Sequence, residues 1–158
     1  MRFEISSASA FLMNLLRMGN TTLDENQLVL FRQHLEELLD QHYQHHWFPE
    51  QPCKGSGYRC LRINHKMDPL IARAAQATGV GEPTLLKRLF PNELTLWIDP
   101  REVSYRIGEN GSICVLYDGG KQNGGGSGQN GGGFGTCKDS VIMDPRREFE
   151  QFATYVSS

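Results

Sequence analysis

Residues 92–107, NELTLWIDPREVSYRI, constrain the fold more than any other stretch of the chain. Leu94, Leu96 and Ile98 alternate with Thr95, Trp97 and Asp99. Side chains along a strand point to opposite faces with a period of two, so this pattern predicts a strand with two different faces. If the aliphatic set meets a core, Trp97 and Asp99 face away from it together. Beyond Pro100 the alternation resumes with Val103, Tyr105 and Ile107, and residues 113–117 supply a third strand. Asn110-Gly111 between them suits a tight hairpin turn.

Upstream the period changes to that of a helix. Phe11, Leu12, Leu15 and Leu16 recur at helical spacing over residues 9–18, and Gly19 stops the run. Thr22 and Glu25 have capping-box spacing, which predicts a long helix from there to about Tyr43. Its apolar stripe is Leu28, Phe31, Leu35, Leu38 and Leu39. The short join between the two helices predicts an antiparallel hairpin. Pro49, Pro52, Gly55 and Gly57 exclude regular structure over residues 46–57, with Trp47 and Phe48 as anchors to the core. Residues 58–64, YRCLRIN, read as a strand. Leu61 and Ile63 share a face with Arg59, while Tyr58, Cys60 and Arg62 share the other. Each face carries an arginine, so the pattern leaves open which is buried. Asp68-Pro69 starts a helix to about Thr78, with Leu70, Ile71, Ala74 and Ala75 inward and Gly79 and Gly81 at its end. A short helix over residues 83–90 carries Leu85, Leu86 and Leu89 and is closed by Pro91. The predicted class is α+β. An N-terminal antiparallel helix hairpin packs with a small, mainly antiparallel sheet and additional short helices, in a single domain.

The composition shifts at Asp118. Ten of the 17 glycines lie between Gly119 and Gly135, among Gln, Asn and Ser. Such a stretch cannot bury enough side chain to offset the ordering of its backbone, so residues 119–135 are expected to be a flexible linker. The globular part then spans about residues 7–118. In the tail, residues 136–158, Phe149, Phe152 and Val156 fit a short helix. Folding back on the domain and acting as a short linear motif both stay open for it.

The chain has 158 residues, 39% hydrophobic and 22% charged, enough for one domain with a sizeable core. The net charge of −2 supplies no global field toward nucleic acid or anionic membrane. Arg59, Arg62, Lys66, Lys87 and Arg88 form only a modest basic run, so nucleic acid is not expected as the main partner. No leader and no membrane span are expected. Cys53, Cys60, Cys114 and Cys137 form no CxxC pair and read as free thiols of an intracellular protein.

His42, His45 and His46, with Cys53 nearby and His65 farther on, invite a metal reading. Zinc needs about four ligands, and this set lacks a standard spacing. The preferred reading has the histidines ending the helix and packing by hydrogen bonding, with no metal and no cofactor. No acid pair, GxSxG motif or phosphate-binding glycine loop marks a catalytic site, so the chain is read as a non-enzyme. Tyr58, Trp97 and Asp99 remain as aromatics and a carboxylate on outward faces, the composition of a protein interface. Alternation leaves a second reading open, in which Trp97 caps a satellite core under the tail.

Two long strings carry a resemblance. HYQHHWFPEQPCKGSGYRCLRINHKMDP, residues 42–69, and LFPNELTLWIDPREVSYRIGENGSICVLY, residues 89–117, are similar to the two signature boxes of the BTG/Tob antiproliferative family. The length and the ending Tyr-Val-Ser-Ser resemble its short members. The resemblance implies a BTG/Tob-type domain over residues 1–118 in a non-enzymatic adaptor. It would bind the Caf/Pop-type exonuclease subunit of the major deadenylase complex, promote shortening of mRNA poly(A) tails and restrain proliferation. The resemblance assigns the grip on that nuclease to Tyr58, Trp97 and Asp99. It further implies contact with poly(A)-binding protein and with transcription factors, and residence in cytoplasm and nucleus. A transcriptional coregulator that binds DNA-binding factors is the alternative. The glycine-rich linker and the tail string RREFEQFATY depart from the family's pattern, which bears on its arginine methyltransferase contact. One apolar face per element accounts for a single core, which predicts a monomer.

Overall fold

The structure, a computed structural model, describes residues 1–19, 23–80 and 82–119. The linker and tail expectations lie outside the described residues beyond Gly119, as do those resting on Thr22 and Gly81. The elements run α1 (Arg2–Gly19), α2 (Glu25–Tyr43), α3 (Ser56–Arg59), β1 (Leu61–Asn64), α4 (Pro69–Ala77), α5 (Pro83–Leu89), β2 (Glu93–Asp99), β3 (Glu102–Ile107) and β4 (Cys114–Asp118). The four strands form one antiparallel sheet in the order β1-β2-β3-β4. This is the α+β class expected.

α1 and α2 form the antiparallel hairpin. Arg17 reaches Glu25 at one end, and Ser9 bonds Glu36 while Arg32 bonds Ser6 toward the other. Their stripes meet through Leu12 and Leu16 on one helix and Leu28, Phe31, Leu35 and Leu39 on the other, all buried. Two boundaries differ from the sequence expectation. α1 begins at Arg2, not residue 9, because Ile5 and Ala8 extend the buried stripe of Leu12 and Leu16 backwards and a distant contact ties down the first turn. There Ile5 and Glu4 are buried, and a Glu4 carboxylate oxygen accepts the Arg101 N–H at 3.0 Å. α2 starts at Glu25 and is capped by Asp24, whose side chain accepts the Gln27 N–H while the Gln27 side chain accepts the Asp24 N–H, a capping box over Asp24–Gln27. α4 follows the prediction. The Asp68 side chain accepts the Leu70 N–H at 2.9 Å, Pro69 opens the helix, and Ile71, Ala74 and Ala75 are buried.

The register places Leu61 opposite Leu96 and Ile63 opposite Leu94, and Val103 opposite Ile98. These side chains share the face that meets the helices, and Phe11 of α1 stacks on Tyr105 of β3 at 4.4 Å. β2 and β3 are joined by the two-residue turn Pro100-Arg101, in which Arg101 adopts a left-handed φ of 68°. Pro100 followed by a residue with positive φ is the type II arrangement. The β3–β4 connection is not the tight Asn-Gly hairpin expected. It runs through Gly108, at φ 79°, to a turn closed by the Gly111 N–H on the Gly108 carbonyl, and β4 starts at Cys114. The pairing slips by one residue between Val103 and Ser104, which leaves Leu116 without an opposite number.

Candidate protein-binding surface

The first surprise is where Tyr58 sits. Residues 56–59 form the single helical turn α3 instead of the start of a strand. Gly55, at φ 76°, precedes that turn, and a side chain there would come within 3.1 Å of the Arg59 guanidinium. The helical turn separates neighbours that strand alternation also sends apart. Tyr58 is 41% exposed, while Arg59 is 0% exposed.

Arg59 is fully buried and makes five side-chain hydrogen bonds. Its Nε donates to the Ile98 carbonyl at 2.8 Å. Nη1 donates to the carbonyls of His46 and Lys54, both at 2.7 Å. Nη2 donates to the Pro52 carbonyl at 2.8 Å and to Asp99 Oδ1 at 2.9 Å. A guanidinium has five N–H donors in a fixed fork, and all are used. The ring of Trp47 lies 5.3 Å from the Arg59 Cζ. The Tyr43 hydroxyl donates to the Arg59 carbonyl, and burial pushes the Tyr43 phenol well above its ordinary range. One arginine thus gathers the loop over residues 46–57, α3 and the end of β2. Trp47 serves as the loop anchor expected of it and packs against the core.

Asp99 is therefore not an outward-facing acid. It is 2% exposed, and its Oδ2 has no hydrogen-bond partner among the described residues. Trp97 is likewise buried, at 4% exposure, with the Arg106 guanidinium 5.9 Å from its ring. Alternation does send Thr95, Trp97 and Asp99 to the face opposite Leu94, Leu96 and Ile98. That opposite face is buried too at Thr95, Trp97, Asp99 and Ser104. The expectation of exposure holds for Tyr58 and fails for the other two. Periodicity gives the face of a residue and says nothing of what covers that face. The open question at residues 58–64 is also settled: the face of Leu61, Ile63 and Arg59 is the buried one.

The histidines pack by ring stacking. His42 stacks on Tyr58 with centroids 4.3 Å apart and planes 8° from parallel, and His46 stacks on it at 3.8 Å and 28°. The Tyr58 hydroxyl lies 3.4 Å from His42 Nδ1. In nearly parallel rings that vector runs across the imidazole plane, whereas a ring nitrogen bonds within it, so this is a stacking contact and not a directed hydrogen bond. Desolvation, then the neighbouring His46, lowers the His42 pKa below 6.5, and Arg73 acts in the same direction; Asp68 and the Tyr58 backbone oppose them. Among the described residues no three of His, Cys, Asp and Glu gather as metal ligands. Burial pushes the Cys60 thiol up to about 12, so it is not a reactive thiolate near neutrality. Cys60 and Cys114 are free thiols, as expected of them.

No helix among the described residues is long and apolar enough to cross a membrane. The surface presents an exposed aromatic, Tyr58, on a rigid support, which suits it to binding a protein.

Comparison with known proteins agrees with that architecture. The BTG family model matches residues 1–117. Protein BTG1 of Rattus norvegicus is 61% identical over 144 residues, which cover 89% of this chain and 83% of that protein. Protein BTG2 of Homo sapiens is 49% identical over 155 residues, covering 98% of this chain and 93% of that protein. Among solved structures, the BTG/Tob domain of C. elegans FOG-3 superposes with a TM-score of 0.63 at 24% identity, over 75% of this chain and 83% of that one, a likeness of fold. The chain belongs to the BTG family of non-enzymatic, antiproliferative adaptors.

Proposed function

We propose that this protein binds the Caf/Pop-type exonuclease subunit of the major deadenylase complex through the surface centred on Tyr58, and so promotes poly(A) shortening and restrains proliferation. One observation carries the reading. Two bonds of Arg59, to the Ile98 carbonyl and Asp99 Oδ1, join the turn bearing Tyr58 to the strand bearing Trp97 and Asp99, and its other three tie that turn to the loop over residues 46–57. The three residues that the family resemblance assigns to nuclease binding therefore share one rigid patch. Their roles divide by exposure. Tyr58 offers its ring edge and hydroxyl to the partner. Asp99 holds Arg59, and Trp97 backs the sheet beneath. The same reading has poly(A)-binding protein and transcription factors as further partners, and a monomer acting in cytoplasm and nucleus.

The test is calorimetric titration of the full chain with the purified nuclease. Tyr58→Ala is expected to lose at least about tenfold in affinity, or ~1.4 kcal/mol, while its melting temperature stays near that of the parent. Absence of binding by the unmodified chain would overturn the reading and favour the coregulator alternative.

A further inference from the structure

The two histidines that stack on Tyr58 are left over once the docking patch is described. Among the described residues no three metal-ligating side chains gather about them; His42 lies in the last turn of α2, and His46 lies beyond its end. Both are half-buried, and His46 is fixed from below because its carbonyl accepts from Arg59 Nη1 at 2.7 Å. Tyr58 sits on a helical turn of only four residues, Ser56–Arg59, and its ring is exposed. An exposed tyrosine on so short an element has its χ1 and χ2 freedom to lose when a partner arrives, which opposes binding. Stacking on two imidazoles, at 4.3 Å and 3.8 Å, restricts the ring beforehand. The stacking geometry also leaves the hydroxyl without an in-plane partner, so it can bond to an incoming group.

We infer that His42 and His46 are positioning residues for partner docking, which hold the Tyr58 ring in its binding orientation and present its hydroxyl to a polar group of the nuclease. The inference rests on the nuclease reading proposed above. The kind of contact that fits is an interfacial backbone or side-chain polar group set beside an apolar surface, which would receive the hydroxyl and the ring edge together.

The experiment is a set of double-mutant cycles in the full chain, read by titration with the purified nuclease. His46→Ala and His42→Ala are each expected to weaken binding about three- to tenfold, with folding checked by circular dichroism. His46→Phe keeps a ring to stack on and is expected to restore affinity to within about twofold of the parent. In a Tyr58→Ala background, His46→Ala is expected to change affinity no further, because the group it positions is gone. That loss of effect separates positioning from a general structural role, which would persist in either background. If the histidine variants bind like the parent while Tyr58→Ala still loses affinity, the inference is overturned and the nuclease reading stands. If His46→Ala costs the same with and without Tyr58, the positioning role is overturned. If the parent chain does not bind the nuclease, the reading beneath falls, and this inference falls with it.

Discussion

Removing the Asp99 carboxylate leaves the Arg59 guanidinium buried without a counter-charge. Both partners are essentially inaccessible, at 0% and 2% side-chain exposure, so solvent cannot take over the lost contact. Breaking such a pair from one side costs about 3–5 kcal/mol, far more than the 0–1 kcal/mol typical of a surface pair. Urea denaturation of Asp99→Ala is expected to show a loss in that range. Asp99→Asn, which keeps an oxygen for Arg59 Nη2, should fall between it and the parent. A loss below about 1 kcal/mol would place the pair in the surface class and remove its bracing role. The consequence for function is direct. Weak nuclease binding by Asp99→Ala reports on the scaffold as much as on the interface, so Tyr58→Ala is the cleaner probe. Arg59 was visible in the sequence as an arginine in phase with Leu61 and Ile63. An arginine on an aliphatic face needs an acid from elsewhere in the chain. Which acid it found was decided by the meeting of residues 59 and 99.

Two short connections hold the elements that carry the patch. Gly55 enters α3 at φ 76°, a conformation that costs an L-residue roughly 1–2 kcal/mol, and any Cβ there would press on the Arg59 guanidinium at 3.1 Å. Gly55→Ala is therefore expected to lower stability by at least about 1–2 kcal/mol by chemical denaturation, and to weaken nuclease binding by displacing the turn under Tyr58. Arg101 accepts the same left-handed strain at φ 68° because its N–H is held by Glu4 and its carbonyl accepts the Gly119 N–H at 2.8 Å. Glu4→Ala would strand that N–H at a part-buried turn, with an expected loss of about 1–3 kcal/mol. Hydrogen exchange at the Arg101 amide offers a local check, since it should accelerate in Glu4→Ala more than amides of α4 do. Element type was legible wherever local chemistry was strong, as in the Asp68-Pro69 start of α4 and the β2 alternation. It was misread at residues 58–60, where a period-two pattern met a glycine-led helical turn, and at residues 2–8, where Ile5 and Ala8 extend the stripe and a buried Glu4 ties the turn to Arg101.

The assembled molecule also fixes a response to pH. His42 is desolvated and faces His46 and Arg73, with Asp68 and the Tyr58 backbone opposing, and the net effect lowers its pKa. The unfolded chain, with His42 near 6.5, then takes up the proton first as pH falls. Between that value and the lower folded one the unfolded state binds more protons, so stability rises with pH. This contribution is fully present above about 6.5 and is lost as pH falls through the window. His42→Phe, which keeps a ring against Tyr58, should lose less stability than the parent between about pH 7 and about pH 5 in thermal melts. An identical pH slope in the two chains would exclude His42 as its source. What the sequence determined alone is what local physics can specify: the helical and strand periods, the caps and breakers, the α+β layering, and the two boxes that mark the family. What only the tertiary structure decided is which groups meet across distance: Arg59 with Asp99, Glu4 with Arg101, and Tyr58 with His42 and His46. Alternation could send Trp97 and Asp99 to one face of a strand, but burial of that face depends on every element that closes over it. A period read along one segment carries no information about those elements.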